Sequence, residues 1–246
     1  MNYVYKTIIV AFFLLFTEGG IAQARFKASA FAGFNKSQID GDKQEGYRKS
    51  GLSLGLDGSI FFRPDFDVST ELMYNVKGAK PDLDGNSQAA NNHSAFSFRY
   101  SEVALLGNYY YRPNASKTYY TQSIHVGLSY GRLLRSSTTI IKNNLPSEKL
   151  ESEVTNKYNP HDFSFIVGWS QLLSQRIGIT IRHTTSLNFL YKNPNYDFIY
   201  NNEGFEHLKP FFLSFHLFYN LISPNKIMGL QVKKKSKRNS PLEELY

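Results

Sequence analysis

Cysteine is missing from all 246 residues. Disulfide bridges, zinc–thiolate sites and thiol nucleophiles are therefore excluded outright. Long apolar runs are also scarce. Beyond Ala24 no segment approaches the ~20 consecutive apolar residues that a spanning helix needs, so membrane residence would have to come from strands. Acidic residues are outnumbered, 20 Asp and Glu against 28 Lys and Arg, for a formal charge of +8. Half of that excess sits at one end: from Leu221 onward Lys226, Lys233, Lys234, Lys235, Lys237 and Arg238 face only Glu243 and Glu244, a net of +4. With 41% hydrophobic and 20% charged residues, the chain does not have the composition of a disordered protein.

Aromatic side chains are plentiful, with 20 Phe, 17 Tyr and a single Trp. That bias favours strands and suits the aromatic girdles of membrane barrels. The first residues combine Lys6, an apolar stretch from Ile8 to Phe16 and a closing Ala22-Gln23-Ala24. These are the n-region, h-region and A-x-A site of a secretory signal peptide, so residues 1–24 are set apart from the fold.

The segment Gly51-Leu52-Ser53-Leu54-Gly55-Leu56-Asp57-Gly58-Ser59-Ile60-Phe61-Phe62 alternates large apolar with small or polar residues, the pattern of a two-faced strand. Similar alternation recurs around Phe66–Lys77, Glu102–Tyr109, Ile124–Gly131, Phe163–Ser170, Ile177–Arg182 and Phe211–Tyr219, with a weaker Ala-rich strand over Ala28–Asn35. The total is about eight strands. Between them the connections alternate in length: long (Ser37 to Ser50), short (Arg63-Pro64-Asp65), long (Gly78 to Ala95), short (around Pro113-Asn114), long (Ser136 to Pro160), short (Ser174-Gln175), long (Leu187 to Leu208). One end of an up-and-down barrel then carries tight turns and the other extended loops, the asymmetry of outer-membrane barrels. Aromatics at Phe61, Phe62, Phe66, Tyr109, Tyr110, Tyr111, Tyr119, Tyr120, Phe218 and Tyr219 are expected to form the girdle at the tight-turn end, with Tyr74, Phe98 and Tyr191 at the other.

The polar faces are mostly Gly, Ser, Thr and Asn rather than the Lys and Glu of a water-facing surface. Such residues suit a crowded lumen, in which charges must be paired. Asp57, Asp67, Glu71 and Glu102 are the available acids, with Arg132 and Arg182 as partners. The leucines of the opening strand are thus expected to face lipid. The fold expected is an all-β, antiparallel, up-and-down transmembrane barrel over residues 25–221, followed by a basic periplasmic tail, 222–246, read as solvated and disordered.

Phe34-Asn35-Lys36-Ser37-Gln38-Ile39-Asp40-Gly41-Asp42, followed by Gly46-Tyr47-Arg48-Lys49-Ser50-Gly51-Leu52, resembles the opening signature of the PorT-like outer-membrane β-barrel family of Gram-negative bacteria. Glu71-Leu72-Met73-Tyr74-Asn75-Val76-Lys77-Gly78 resembles that family's third-strand motif. The resemblance implies an exported outer-membrane barrel and assigns no activity. One branch of the family serves a protein-secretion system.

No catalytic, cofactor or metal residues are expected. The histidines His93, His125, His161, His183, His207 and His216 lack the close spacing of a metal motif. His125 and Ser129 share a face with access to Glu71 or Glu102, the minimum for a lipid hydrolase, but mutually satisfied lumenal groups give the same pattern. Asp40-Gly41-Asp42 and Asp82-Leu83-Asp84-Gly85-Asn86 miss the spacing of a calcium loop and read as turns. Export makes a nucleic-acid role for Lys233–Arg238 untenable. The expected partners are outer-membrane lipid, the barrel-assembly machinery and other envelope or secretion proteins reached through the long loops or the tail. A non-enzymatic structural or interaction role without porin-like conductance follows; the alternative is a soluble periplasmic ligand-binding barrel.

Overall fold

The computed structural model describes residues 26–41, 46–80, 92–115, 119–142, 145–150, 158–191 and 207–222. The expected signal peptide (residues 1–24), the Asp82–Asn86 segment and the basic tail lie outside the described residues. The strands are β1 (Phe26–Asp40), β2 (Lys49–Arg63), β3 (Phe66–Ala79), β4 (Asn92–Pro113), β5 (Tyr120–Lys142), β6 (Leu145–Leu150), β7 (His161–Leu172), β8 (Ile177–Ser186) and β9 (Lys209–Asn220). Every strand except β6 belongs to one closed ring of antiparallel neighbours, β1-β2-β3-β4-β5-β7-β8-β9, with β9 returning to β1 from Ser29↔Asn220 to Asp40↔Lys209. Closure removes every sheet edge from the eight-stranded ring.

The turns Pro64-Asp65 and 173–176, with Asn114 and Tyr119, lie at the same end as Phe26 and Ile222, and the strand ends that lead into the longer connections lie at the other. Each tight turn has its own lock. Arg63 forks onto Asp65, Asn114 and Tyr119 exchange bonds, and the Ser174 hydroxyl accepts the amides of Arg176 and Ile177.

Two of the expected loops are partly strand. β4 already begins at Asn92 and β5 continues to Lys142, where Thr138–Lys142 pairs with both β4 and β6. A three-stranded ribbon thus prolongs the wall beyond the ring. Alternation fails to reveal it because a ribbon outside the membrane has no lipid face to contrast with a lumenal one. Only the β-branched content of Thr138-Thr139-Ile140-Ile141 marks it.

Burial is inverted relative to a soluble protein. Leu56 is 57% exposed and Ser53 0%. Leu52, Leu54, Ile60, Phe62, Leu72, Val103, Leu105, Val126, Leu128, Phe165, Val167 and Leu217 all point outward, whereas Asp67, Lys77, Glu102 and Arg182 are buried. A contiguous apolar belt of this size requires a non-aqueous neighbour. The soluble alternative fails on this observation.

The girdle expectation needs correction at Phe61, Tyr110, Phe98, Phe218 and Tyr120, of which Phe218 packs against the inward cluster of Phe31, Met73 and Ile166, and Tyr120 against Phe61 and Tyr110. Phe61 and Tyr110 stack on each other inside the barrel at 5.6 Å, and Phe98 is fully buried at the long-loop end. Runs such as Phe61-Phe62 and Tyr109-Tyr110-Tyr111 must send successive rings to opposite faces. The lower girdle contains Phe62, Tyr109, Tyr111 and Tyr219, tied by bonds from Trp169 to the Tyr111 hydroxyl (3.0 Å) and from Arg176 to the Tyr219 hydroxyl (3.1 Å).

Inside the ring, large side chains sit opposite glycines. His125 pairs with Gly168, Phe218 with Gly178 and Phe31 with Gly55. A Cβ at Gly168 would lie 2.3 Å from the His125 ring, and one at Gly178 would lie 2.3 Å from the Phe218 ring. At these three positions a ring is accommodated by a partner without a side chain, whereas Phe212 lies opposite Thr184 and Tyr110 opposite Ser123.

Candidate functional site

The inward faces build a stack of polar layers along the lumen. At the tight-turn end Lys27, from β1, donates to the Tyr110 hydroxyl (3.0 Å) and lies 3.5 Å from Asp67 and 3.7 Å from Asp57. Tyr110 donates onward to Asp67 (2.7 Å), which Asn108 also approaches, while Ser29 and Ser59 donate to Asp57 (2.8 and 3.1 Å). Halfway up, the Arg182 guanidinium holds Glu71 bidentately at 2.7 and 2.8 Å, and its Nε donates to His125 Nε2 at 3.2 Å. His216 Nε2 meets the Ser53 hydroxyl at 2.8 Å.

In the next layer Lys77 bridges Glu102 (2.8 Å) and Asp162, and packs over the Tyr100 ring at 4.3 Å and the Phe212 ring at 5.0 Å. Asn75 donates to the free oxygen of Glu102 (2.7 Å) and accepts from Asn35, which accepts from Ser214. The Ser37 hydroxyl accepts the Gly78 amide at 2.9 Å. The two motifs that carry the family resemblance thus meet: Asn35 and Ser37 of the first reach across the lumen to Asn75 and Gly78 of the second. Burying so many charges is tolerable because each is paired and hydrogen-bonded.

Above the polar layers lies an apolar plug of Ile39, Ala79, Phe96, Phe98, Tyr100, Leu133, Tyr158, Leu190 and Leu208. Its last three members come from the segments flanking the long loops. Below, at the tight-turn end, a cavity of about 70 Å³ is bounded by Lys27, Tyr110, His125, Arg182, His216 and Asn220. That volume holds a few waters and no extended ligand.

Of the acids expected in the lumen, Asp57, Asp67, Glu71 and Glu102 all lie in these layers, and Arg182 is the partner of Glu71. Arg132 is not a lumenal partner. It projects outward and donates to His161 Nε2 at 3.0 Å, because its parity on β5 is that of Tyr130 rather than of Ser129. The cations that replace it, Lys27 and Lys77, and the acid Asp162 carry the right parity. Lys77 follows Asn75 by two positions and Asp162 precedes Ser164 by two. Lys27 falls just before the Ala28 start expected for the first strand.

The hydrolase arrangement does not assemble. Ser129 and His125 are four positions apart on one strand, about 13 Å at ~3.3 Å per residue. His125 Nε2 is occupied by Arg182, and Glu102 is held by Lys77. Among the described residues no group of three or more His, Asp or Glu is placed to hold a metal ion. Gly41, with φ of 89°, makes the left-handed turn expected after Asp40.

The family described as outer membrane protein beta-barrel domain matches residues 17–192. Similar solved structures include Ail, the attachment invasion locus protein of Yersinia pestis (12% identity, 79% of this chain and 97% of that chain, TM-score 0.44). Neisserial surface protein A is another (8% identity, 80% and 97% coverage, TM-score 0.39), as is OprG from Pseudomonas aeruginosa (13% identity, 81% and 97% coverage, TM-score 0.36). No curated protein matches the sequence.

Proposed function

Starting from a chain that belongs to the outer membrane protein beta-barrel domain family, we propose an integral outer-membrane barrel with a non-enzymatic structural or interaction role, exercised at its long-loop end. The observation that carries this reading is the occupied lumen. Three layers of paired charges and an apolar plug leave no path for solutes, so the exterior wall and the loops are the surfaces left to act. Residues 1–24 serve as a cleaved export signal, and the long loops face away from the cell. An accessory role in protein secretion is the finer reading, supported by the PorT-like motifs. The partners are outer-membrane lipid, the barrel-assembly machinery and envelope or secretion proteins.

The lack of native cysteine permits a clean test. A membrane-impermeant maleimide should label Asp40→Cys on intact cells and Gln175→Cys only after the outer membrane is opened. The reverse pattern would overturn the orientation. Crosslinking from the long-loop end followed by mass spectrometry should recover envelope proteins; recovery of the assembly machinery alone would argue against an interaction role.

A further inference from the structure

Among the described residues the outer wall carries a basic cluster without carboxylate partners at the upper margin of the apolar belt. Arg99 of β4 and Arg135 of β5 are direct cross-strand partners. Both are exposed, and among the described residues neither meets a carboxylate. Like charges placed directly opposite, with Cα atoms about 5 Å apart, destabilise a sheet unless an anion lies between them. Lys49 is within coulombic reach of Arg99 and Lys80, which adds to the repulsion.

The sheet is distorted to build this pair. The register shifts between Arg99 and Tyr100, so that Tyr100 opposes Leu133 and Arg99 opposes Arg135, leaving Leu134 as an extra residue. Without the bulge Arg135 would point into the lumen, as Leu133 does. With it, Leu134 and Arg135 both project outward, Leu134 being 57% exposed. Bulges commonly re-aim a side chain in this way. On its other side Arg99 is paired with Val76 of β3, and further down its own face come Ser101 and then the belt residues Val103 and Leu105. Apolar neighbours on both flanks put the guanidinium groups at the boundary between acyl chains and headgroups.

We propose that Arg99 and Arg135 clamp a phosphomonoester group of a membrane lipid headgroup in the leaflet on the long-loop side, with Lys80 and Lys49 completing the positive field. Paired guanidinium forks suit phosphate oxygens, and the belt beneath receives the acyl chains of the same lipid. The anion is a lipid rather than free phosphate because Leu134, Val76 and Val103 give the clamp an apolar floor. The leaflet assignment rests on the orientation proposed above, which cysteine labelling tests separately.

Native mass spectrometry of the full chain in detergent can decide this, with diphosphoryl lipid A and phosphatidylcholine as probes and inorganic phosphate as competitor. The folded protein should retain diphosphoryl lipid A in preference to phosphatidylcholine. Arg99→Ser with Arg135→Ser should weaken retention by about tenfold to hundredfold, the loss of charge-assisted bonds. Arg63→Ser with Arg112→Ser, at the opposite end, should leave it unchanged. Heat-modifiable migration of both variants establishes that the barrel is intact. Equal retention by the Arg99/Arg135 variant, or equal retention of phosphatidylcholine, overturns the clamp. Displacement by inorganic phosphate at matched concentration overturns the lipid assignment.

Discussion

Leu56 and Asp57 are adjacent in the chain yet meet opposite surroundings, and the cost of exchanging them differs on the two faces. An arginine at Leu56 near the lipid midplane should destabilise the barrel by about 2–4 kcal/mol. On the inner face the sensitive event is the loss of one charge from a pair. Glu71→Gln leaves the Arg182 guanidinium buried without its bidentate partner and should cost about 3–5 kcal/mol, most of it recovered when Arg182→Met is added to Glu71→Leu. Urea unfolding titrations in lipid vesicles measure both, and additivity of the Glu71 and Arg182 changes would show that the pair is not coupled. Parity made Glu71 and Arg182 legible as lumenal charges in the sequence, though not as each other's partner. The Lys77–Asp162 pair was not legible, since Lys77 shares the polar parity of Asn75 but Asp162 falls just before the Phe163 start expected for its strand, and a residue there shows its facing only once the strand boundary is known.

At the scale of the element, β9 closes the ring, with Phe212, Ser214 and His216 inward and Leu217 and Tyr219 on lipid. Pairing continues slightly further, because the amides of Leu221 and Ile222 both donate to the Ala28 carbonyl at 2.9 and 3.4 Å. Truncation after Ile222 should therefore preserve heat-modifiable migration on gels, and deletion of Phe211–Ile222 should abolish it. Loss of migration on removing the tail alone would mean that the tail takes part in assembly. The alternation of long and short connections was readable because turn residues such as Pro64-Asp65 and Ser174 punctuate apolar runs. The upper halves of β4 and β5 were hidden, for there the lipid that imposes alternation has ended while the strands continue.

Taken as a whole molecule, the barrel is a bounded volume filled from its own strands, and purified protein in planar bilayers should give no porin-like conductance steps. Large, stable steps would mean that the plug of Phe96, Phe98, Tyr158 and Leu208 opens. The glycine sockets extend this to the history of the sequence. When the perimeter is fixed at eight strands, the lumen has no slack, so a ring gained at one position must be matched by a side chain surrendered across the ladder. Drift among descendants of this chain should then proceed by exchange: position 168 can acquire a side chain only in lineages where position 125 has lost its imidazole and the Ile181 carbonyl, 2.8 Å from such a Cβ, has moved, and position 178 only where position 218 has lost its ring and the Gln171 carbonyl, at 2.7 Å, has shifted.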